Sequence, residues 1–137
     1  MNEWLMTFTR QIDYSAHDEI TVIVDLVSGS LTASVDAKLD TGSKYCIFQP
    51  RYARWLKLDL TSGTPQRFST ATGSFLAYGH TVKLAVSGLE WETTVYFAES
   101  EDFPVNVVGR IGFLDHLQVG VVDYEQLLYL NAYEPHW

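Results

Sequence analysis

Apolar residues return at every second position in two neighbouring stretches: Ile20, Val22 and Val24, then Leu31, Ala33, Val35, Ala37 and Leu39. A period of two sets one face of an extended chain against a core and the other in water, so the pattern predicts half-buried strands and a mainly β chain. Gly29-Ser30 separates the two stretches and predicts a hairpin turn. Further strands are expected over residues 66–78, 80–86, 91–98, 105–108, 119–124 and 127–130. Two segments break the rhythm. Pro50 suits the first turn of a helix, with Tyr52, Trp55 and Leu56 at helical spacing. Residues 110–117 repeat this, placing Ile111, Leu114 and Leu117 on one face. Many short strands with two short helices predict a closed or folded-over β architecture.

The 137 residues, 47% of them apolar, suffice for one core, and residues 1–137 are read as one domain. A formal charge of −8 repels a polyanion, so nucleic acid is not an expected partner. The early acid Glu3 argues against a signal peptide, and no apolar run approaches membrane-spanning length, so no membrane partner is expected within this chain. One cysteine, Cys46, allows no intrachain disulfide and is compatible with a reducing, cytoplasmic location. His17, His80, His116 and His136 are dispersed without metal-ligand spacing, so neither metal nor cofactor is expected.

Chemistry concentrates at Leu39-Asp40-Thr41-Gly42-Ser43, where an alternating strand gives way to a loop. A short acid on a rigid support, beside a glycine that admits another backbone, suits a carboxylate acting on a peptide. The same residues also suit a plain turn in which Asp40 caps a neighbouring amide. Downstream, residues 106–114 read Asn-Val-Val-Gly-Arg-Ile-Gly-Phe-Leu, a strand-to-helix junction.

In this order, the two segments resemble the retropepsin-like aspartic proteases, most closely the bacterial and cellular members. The resemblance spans residues 20–131. It implies an acid-protease β-barrel with a flap hairpin at residues 68–75, a helix at 50–58 and a closing hairpin at 119–130. By the same resemblance, Asp40 is the catalytic acid and base, and Thr41 bonds across a homodimer. Gly42 meets the substrate backbone, and Ser43 supports the loop with a hydroxyl that donates to the catalytic carboxylate. Ala71, Thr72 and Gly73 form the substrate-facing flap tip, and Gly109 and Arg110 give structural support. Lys44 departs from the viral pattern, which has an acid there to pair with the arginine.

Such chemistry needs one ionised and one protonated carboxylate, and the chain has one such motif. A symmetric dimer supplies both from Asp40. The expected function is therefore an aspartic endopeptidase acting on peptide or protein substrates. The alternative is a dimerisation or peptide-binding module that kept the fold without turnover. Cys46, within the apolar run Tyr45-Cys46-Ile47-Phe48, reads as a buried small hydrophobe rather than a nucleophile. Asp115-His116 reads as a solvated helix face. Tyr129, Tyr133 and Trp137 suit either an interface or the covering of the core.

Overall fold

The computed structural model describes residues 2–134. After β1 (Arg10–Asp13), the alternating stretches form β2 (Thr21–Ser28) and β3 (Leu31–Leu39), paired antiparallel with Ser28 opposite Leu31 across Gly29-Ser30. Val22, Val24, Leu26, Ala33, Val35, Ala37 and Leu39 are all buried. Full burial of such a Val or Leu side chain contributes about 1.5–3 kcal/mol, which makes this hairpin a principal wall of the core.

β4 (Ile47–Phe48) leads into α1 (Pro50–Trp55), which opens on Pro50 as expected. β5 (Thr64–Thr70) and β6 (Gly73–Val86) form a hairpin, followed by β7 (Leu89–Ala98) and β8 (Val107–Val108). β9 (Leu117–Val122) and β10 (Leu127–Ala132) close the chain, joined through a short 3-10 turn at Asp123–Glu125. Of the expected C-terminal aromatics, Tyr129 packs beside Phe8 with ring centroids 5.9 Å apart. His136 and Trp137 lie outside the described residues.

The fold is mainly β, but one closed barrel is corrected to two sheets. A three-stranded sheet runs β1-β10-β9, and a seven-stranded sheet runs β2-β3-β8-β4-β7-β6-β5. A further β2–β6 pairing folds the larger sheet over, while β5 stays outside that return. β6 makes this possible by its length: residues 73–79 pair with β5, and Lys83, Leu84 and Ala85 turn to β2. The expected break at Gly79 is absent. There a side chain would collide with the Tyr96 ring, a Cβ falling 2.9 Å from Tyr96 Cε1, so glycine allows close strand packing rather than a turn.

The expected second helix at residues 110–117 is also corrected. Gly112 takes φ +103, outside the right-handed helical region, and its N–H donates to Asp115 Oδ1 at 3.0 Å. Only the 3-10 turn Leu114–His116 remains. Among the described residues, no helix is long and apolar enough to cross a membrane.

Candidate active site

Asp40 is half-buried at the end of β3, where the loop is held through backbone atoms. Lys38 and Leu39 pair in parallel with Val107 and Val108, and the Asp40 N–H donates to the Val108 carbonyl at 3.0 Å. The Ser43 N–H donates to the Asp40 carbonyl at 3.1 Å, closing a tight turn. The Gly42 N–H donates to Asp40 Oδ1 at 2.9 Å. Thus Asp40 does cap a neighbouring amide, and that bond also orients the carboxylate.

Gly109 and Arg110 meet this loop from β8. The Arg110 N–H donates to the Ser43 carbonyl at 2.9 Å, and the Ile111 N–H to the Lys44 carbonyl at 2.8 Å. A Cβ on Gly109 would lie 2.4 Å from the Ser43 carbonyl oxygen and 2.6 Å from that of Tyr45. Only glycine fits that gap. Arg110 supports the loop through its backbone, while its exposed side chain lines a groove of about 370 Å³ with Thr41, Ile111, Leu114 and Asp115. Thr41 and Gly42 are exposed.

Ser43 departs from the expectation. Its hydroxyl donates to the Tyr45 carbonyl at 2.8 Å, and a hydroxyl has one proton to give, so its bond supports the loop rather than the Asp40 carboxylate. Lys44 places its ammonium 5.5 Å from the Tyr45 ring centroid.

The expected flap is the β5–β6 hairpin, turning at Ala71-Thr72 with Thr70 opposite Gly73. Ala71, Thr72 and Gly73 are exposed. Its base packs by aromatic contacts: Phe68 stacks on Phe75 at 5.2 Å, and meets Tyr45 at 5.7 Å and Tyr96 at 5.5 Å. Phe75 in turn meets Phe103 at 5.0 Å. Tyr45 therefore ties the segment leaving the Asp40 loop to the hairpin.

Several supports are invisible in the sequence. Cys46, buried as expected, accepts from the Gly109 N–H at 3.5 Å and donates to the Ile111 carbonyl at 3.6 Å. Burial pushes its thiol up to about 12, against the opposing Gly109 bond and with a smaller push from Asp115, so it stays a neutral packing group. Asn106 and Gln49 clamp β8 to the start of α1: the Gln49 N–H donates to Asn106 Oδ1 at 2.8 Å, and Asn106 Nδ2 to Gln49 Oε1 at 3.1 Å. These partners lie far apart in the chain. Their only early signal was the apolar context of Cys46. Asp115 is exposed as expected, whereas His116 is half-buried on a 3-10 turn rather than a helix, stacking on Trp91 at 5.1 Å and lying 3.6 Å from Asp115.

Comparison with known proteins agrees with this architecture. A family profile described as "Aspartyl protease" matches residues 20–123. A retropepsin-like aspartic protease from Rickettsia conorii superposes with a TM-score of 0.65 at 16% identity, covering 88% of this chain and 98% of that one. The EIAV protease in complex with the inhibitor HBY-793 superposes at 0.55 with 20% identity, covering 72% and 88% respectively. No curated protein sequence matches the chain significantly.

Proposed function

Since this chain belongs to the aspartyl protease family, matched over residues 20–123, we propose that two copies of it form one aspartic endopeptidase, with Asp40 of each at a shared site. The observation that carries this reading is the backbone clamp on Asp40, formed by Val108, Gly42 and the Ser43–Arg110 bond. A carboxylate held this firmly at a strand end is preorganised for water activation.

In the dimer, the two carboxylates share one proton, because two adjacent negative charges resist full ionisation. The ionised partner takes a proton from water, and the protonated one polarises the scissile carbonyl. The tetrahedral diol then collapses as the leaving amine gains a proton, without a covalent enzyme intermediate. Exposed Thr41 faces the partner and bonds across the two-fold axis, beside the groove lined by Ile111 and Leu114. Gly42, with no side chain, admits the substrate backbone. Ala71, Thr72 and Gly73 close over the peptide from the β5–β6 hairpin.

Asp40→Asn keeps the shape and removes the ionisable group, and lowers turnover of a peptide library by about a thousandfold. Retained peptide affinity with lost hydrolysis supports the assignment, and unchanged cleavage by purified Asp40→Asn protein rejects it. Below the dimerisation constant, the dimer population varies roughly as the square of chain concentration, so activity per chain falls on dilution. Adding excess Asp40→Asn chains to native ones lowers activity further as mixed dimers form. Full activity from a species that sediments as a monomer overturns the shared site.

A further inference from the structure

Far from Asp40, β3 has a second exposed feature: an outer edge that, among the described residues, pairs with another strand only near its end. Along that edge β8 pairs with Lys38 and Leu39 alone. Backbone groups of an antiparallel strand point to opposite edges at alternate residues. The Leu39 N–H donates to Ile20 on the β2 side, whereas the Lys38 and Asp40 N–H groups donate outward, to Asn106 and Val108. The same alternation points the backbone groups of Thr32, Ser34 and Asp36 outward, and all three residues are exposed. Consistent with this, the Trp55 indole N–H donates to the Thr32 carbonyl at 2.9 Å.

α1 stands opposite this edge and turns it into a groove. A depression of about 440 Å³ is lined by Thr32, Ala33 and Ser34 on the strand and by Arg51, Tyr52 and Trp55 on the helix. A second, of about 480 Å³, continues past Trp55 to Arg54 and Lys57. Trp55 is 68% exposed, although its ring offers a large apolar face. Three of the nine Lys and Arg residues fall at Arg51, Arg54 and Lys57, and among the described residues no carboxylate lines either depression. Arg54 pairs with Glu101, and the Arg51 guanidinium lies 5.0 Å from the Tyr52 ring centroid. In a chain of charge −8, this is a local cationic wall beside strand-edge donors and acceptors.

We propose that this groove docks an extended, acidic segment of a protein substrate by strand addition to β3, with Trp55 as its apolar anchor and Arg51 and Lys57 facing its carboxylates. Strand-edge hydrogen bonds recognise extended backbone, and the cations select acidic side chains. The word substrate rests on the protease reading above. Thr32 and Asp40 stand eight residues apart on one rigid strand, about 26 Å at a strand rise of about 3.3 Å per residue. One protein can therefore reach both places, while a short peptide in the active site cannot fill the groove.

Docking is read first on the 137-residue chain carrying Asp40→Asn, so that cleavage plays no part. The probe is a fluorescein-labelled peptide of about ten residues, alternating Val or Thr with Glu, followed by fluorescence anisotropy. Saturable binding is expected, weakened about tenfold by Trp55→Ala, by Arg51→Glu, by Glu-to-Gln exchange in the peptide or by its alternate N-methylation. Equal affinity across these variants overturns the site. So does unchanged peptide affinity in Trp55→Ala with an altered sedimentation mass, which assigns the groove to a second copy of the chain. The second measurement uses the native Asp40 protein and two substrates, one with an acidic stretch about eight or more residues from the scissile bond. Trp55→Ala lowers kcat/KM about tenfold for that substrate and leaves the one without the stretch within about twofold. Equal losses on both overturn the substrate assignment. The expected binding pattern with no turnover of any substrate keeps the strand-docking groove and overturns the protease reading instead.

Discussion

Asp40 and the Ala71-Thr72 turn are both loop positions flanked by strands, yet they are held by different means. Around Asp40, the contacts come from backbone groups, of Val108, Gly42, Ser43 and Arg110, with Gly109 filling a gap too narrow for any side chain. The β5–β6 hairpin is anchored at its base by Phe68 and Phe75, and its turn is exposed. Backbone contacts of the first kind fix an atom's position, as a reacting carboxylate requires. Side-chain packing of the second kind holds a base while leaving a tip free to move, as a closing element requires. Substitutions at the loop should therefore act on stability and geometry, and those at the hairpin chiefly on substrate capture.

The sharpest way to break this contrast is Gly109→Ala. Its Cβ would stand 2.4 and 2.6 Å from two carbonyl oxygens, both backbone, so the loop itself must shift. A loss of about 3 kcal/mol or more in urea unfolding is expected, with lost turnover in whatever still folds. A stability within about 0.5 kcal/mol of native would show that the loop yields easily and that the clamp is not rigid.

Phe68→Ala tests the other side of the comparison. Phe68 is half-buried between Tyr45, Phe75 and Tyr96, so its truncation should cost about 2 kcal/mol, less than a core phenylalanine. Its kinetic signature should be a raised KM with a smaller change in kcat, since the Asp40 contacts stay intact. A fall in kcat alone would place the aromatic cluster within the catalytic geometry.

Cys46→Ala should cost about 1 kcal/mol at neutral pH, through lost packing and the two sulfur contacts. Alkaline pH sharpens the test. Burial raises the folded-state thiol from 9.0 to about 12. The unfolded chain thus releases its proton first, and the group's stabilisation is complete below pH 9 and lost as pH rises toward 12. The native protein should lose stability over that window more steeply than the variant, closing the gap between them. Tyr14, raised from 10.0 to about 12 chiefly by its hydrogen bond to Asp123, declines with the same sign in both proteins. Parallel stability curves for the two proteins above pH 9 would contradict the buried, neutral thiol.

Ser43→Ala should have the smallest effect, about 0.5 kcal/mol for one half-buried side-chain hydrogen bond to the Tyr45 carbonyl. Because that proton is directed away from Asp40, the acidic limb of the pH–rate profile should superimpose on the native one. An upward displacement of that limb would mean that the hydroxyl turns to the carboxylate when the site is assembled.

Strand content was legible because alternation is a local property: Val22 through Leu39 announce their buried face without knowledge of any partner. The same holds for the Asp40 loop and for α1, each marked by adjacent residues. Failures came where a single backbone conformation or a distant contact overruled the pattern of apolar residues. Helical spacing at Ile111, Leu114 and Leu117 was defeated by the left-handed Gly112 and its bond to Asp115. The expected strands 66–78 and 80–86 run on through Gly79, where glycine permits a close approach to Tyr96. β1 and β4 are too short to show a period, and pairing alone defines them.

By itself, then, the order of residues determined a mainly β chain, a hairpin at Gly29-Ser30 and a carboxylate at the end of a strand, since periodicity, turn chemistry and motif are read within a few residues. Tertiary structure decided which backbone atoms clamp Asp40, where the Ser43 proton goes, how Tyr45 meets Phe68, and which edge of β3 stays open beside Trp55. Each of these depends on the distance between groups remote in sequence or on the direction of one bond, and neither quantity is carried by residue order until the chain has packed.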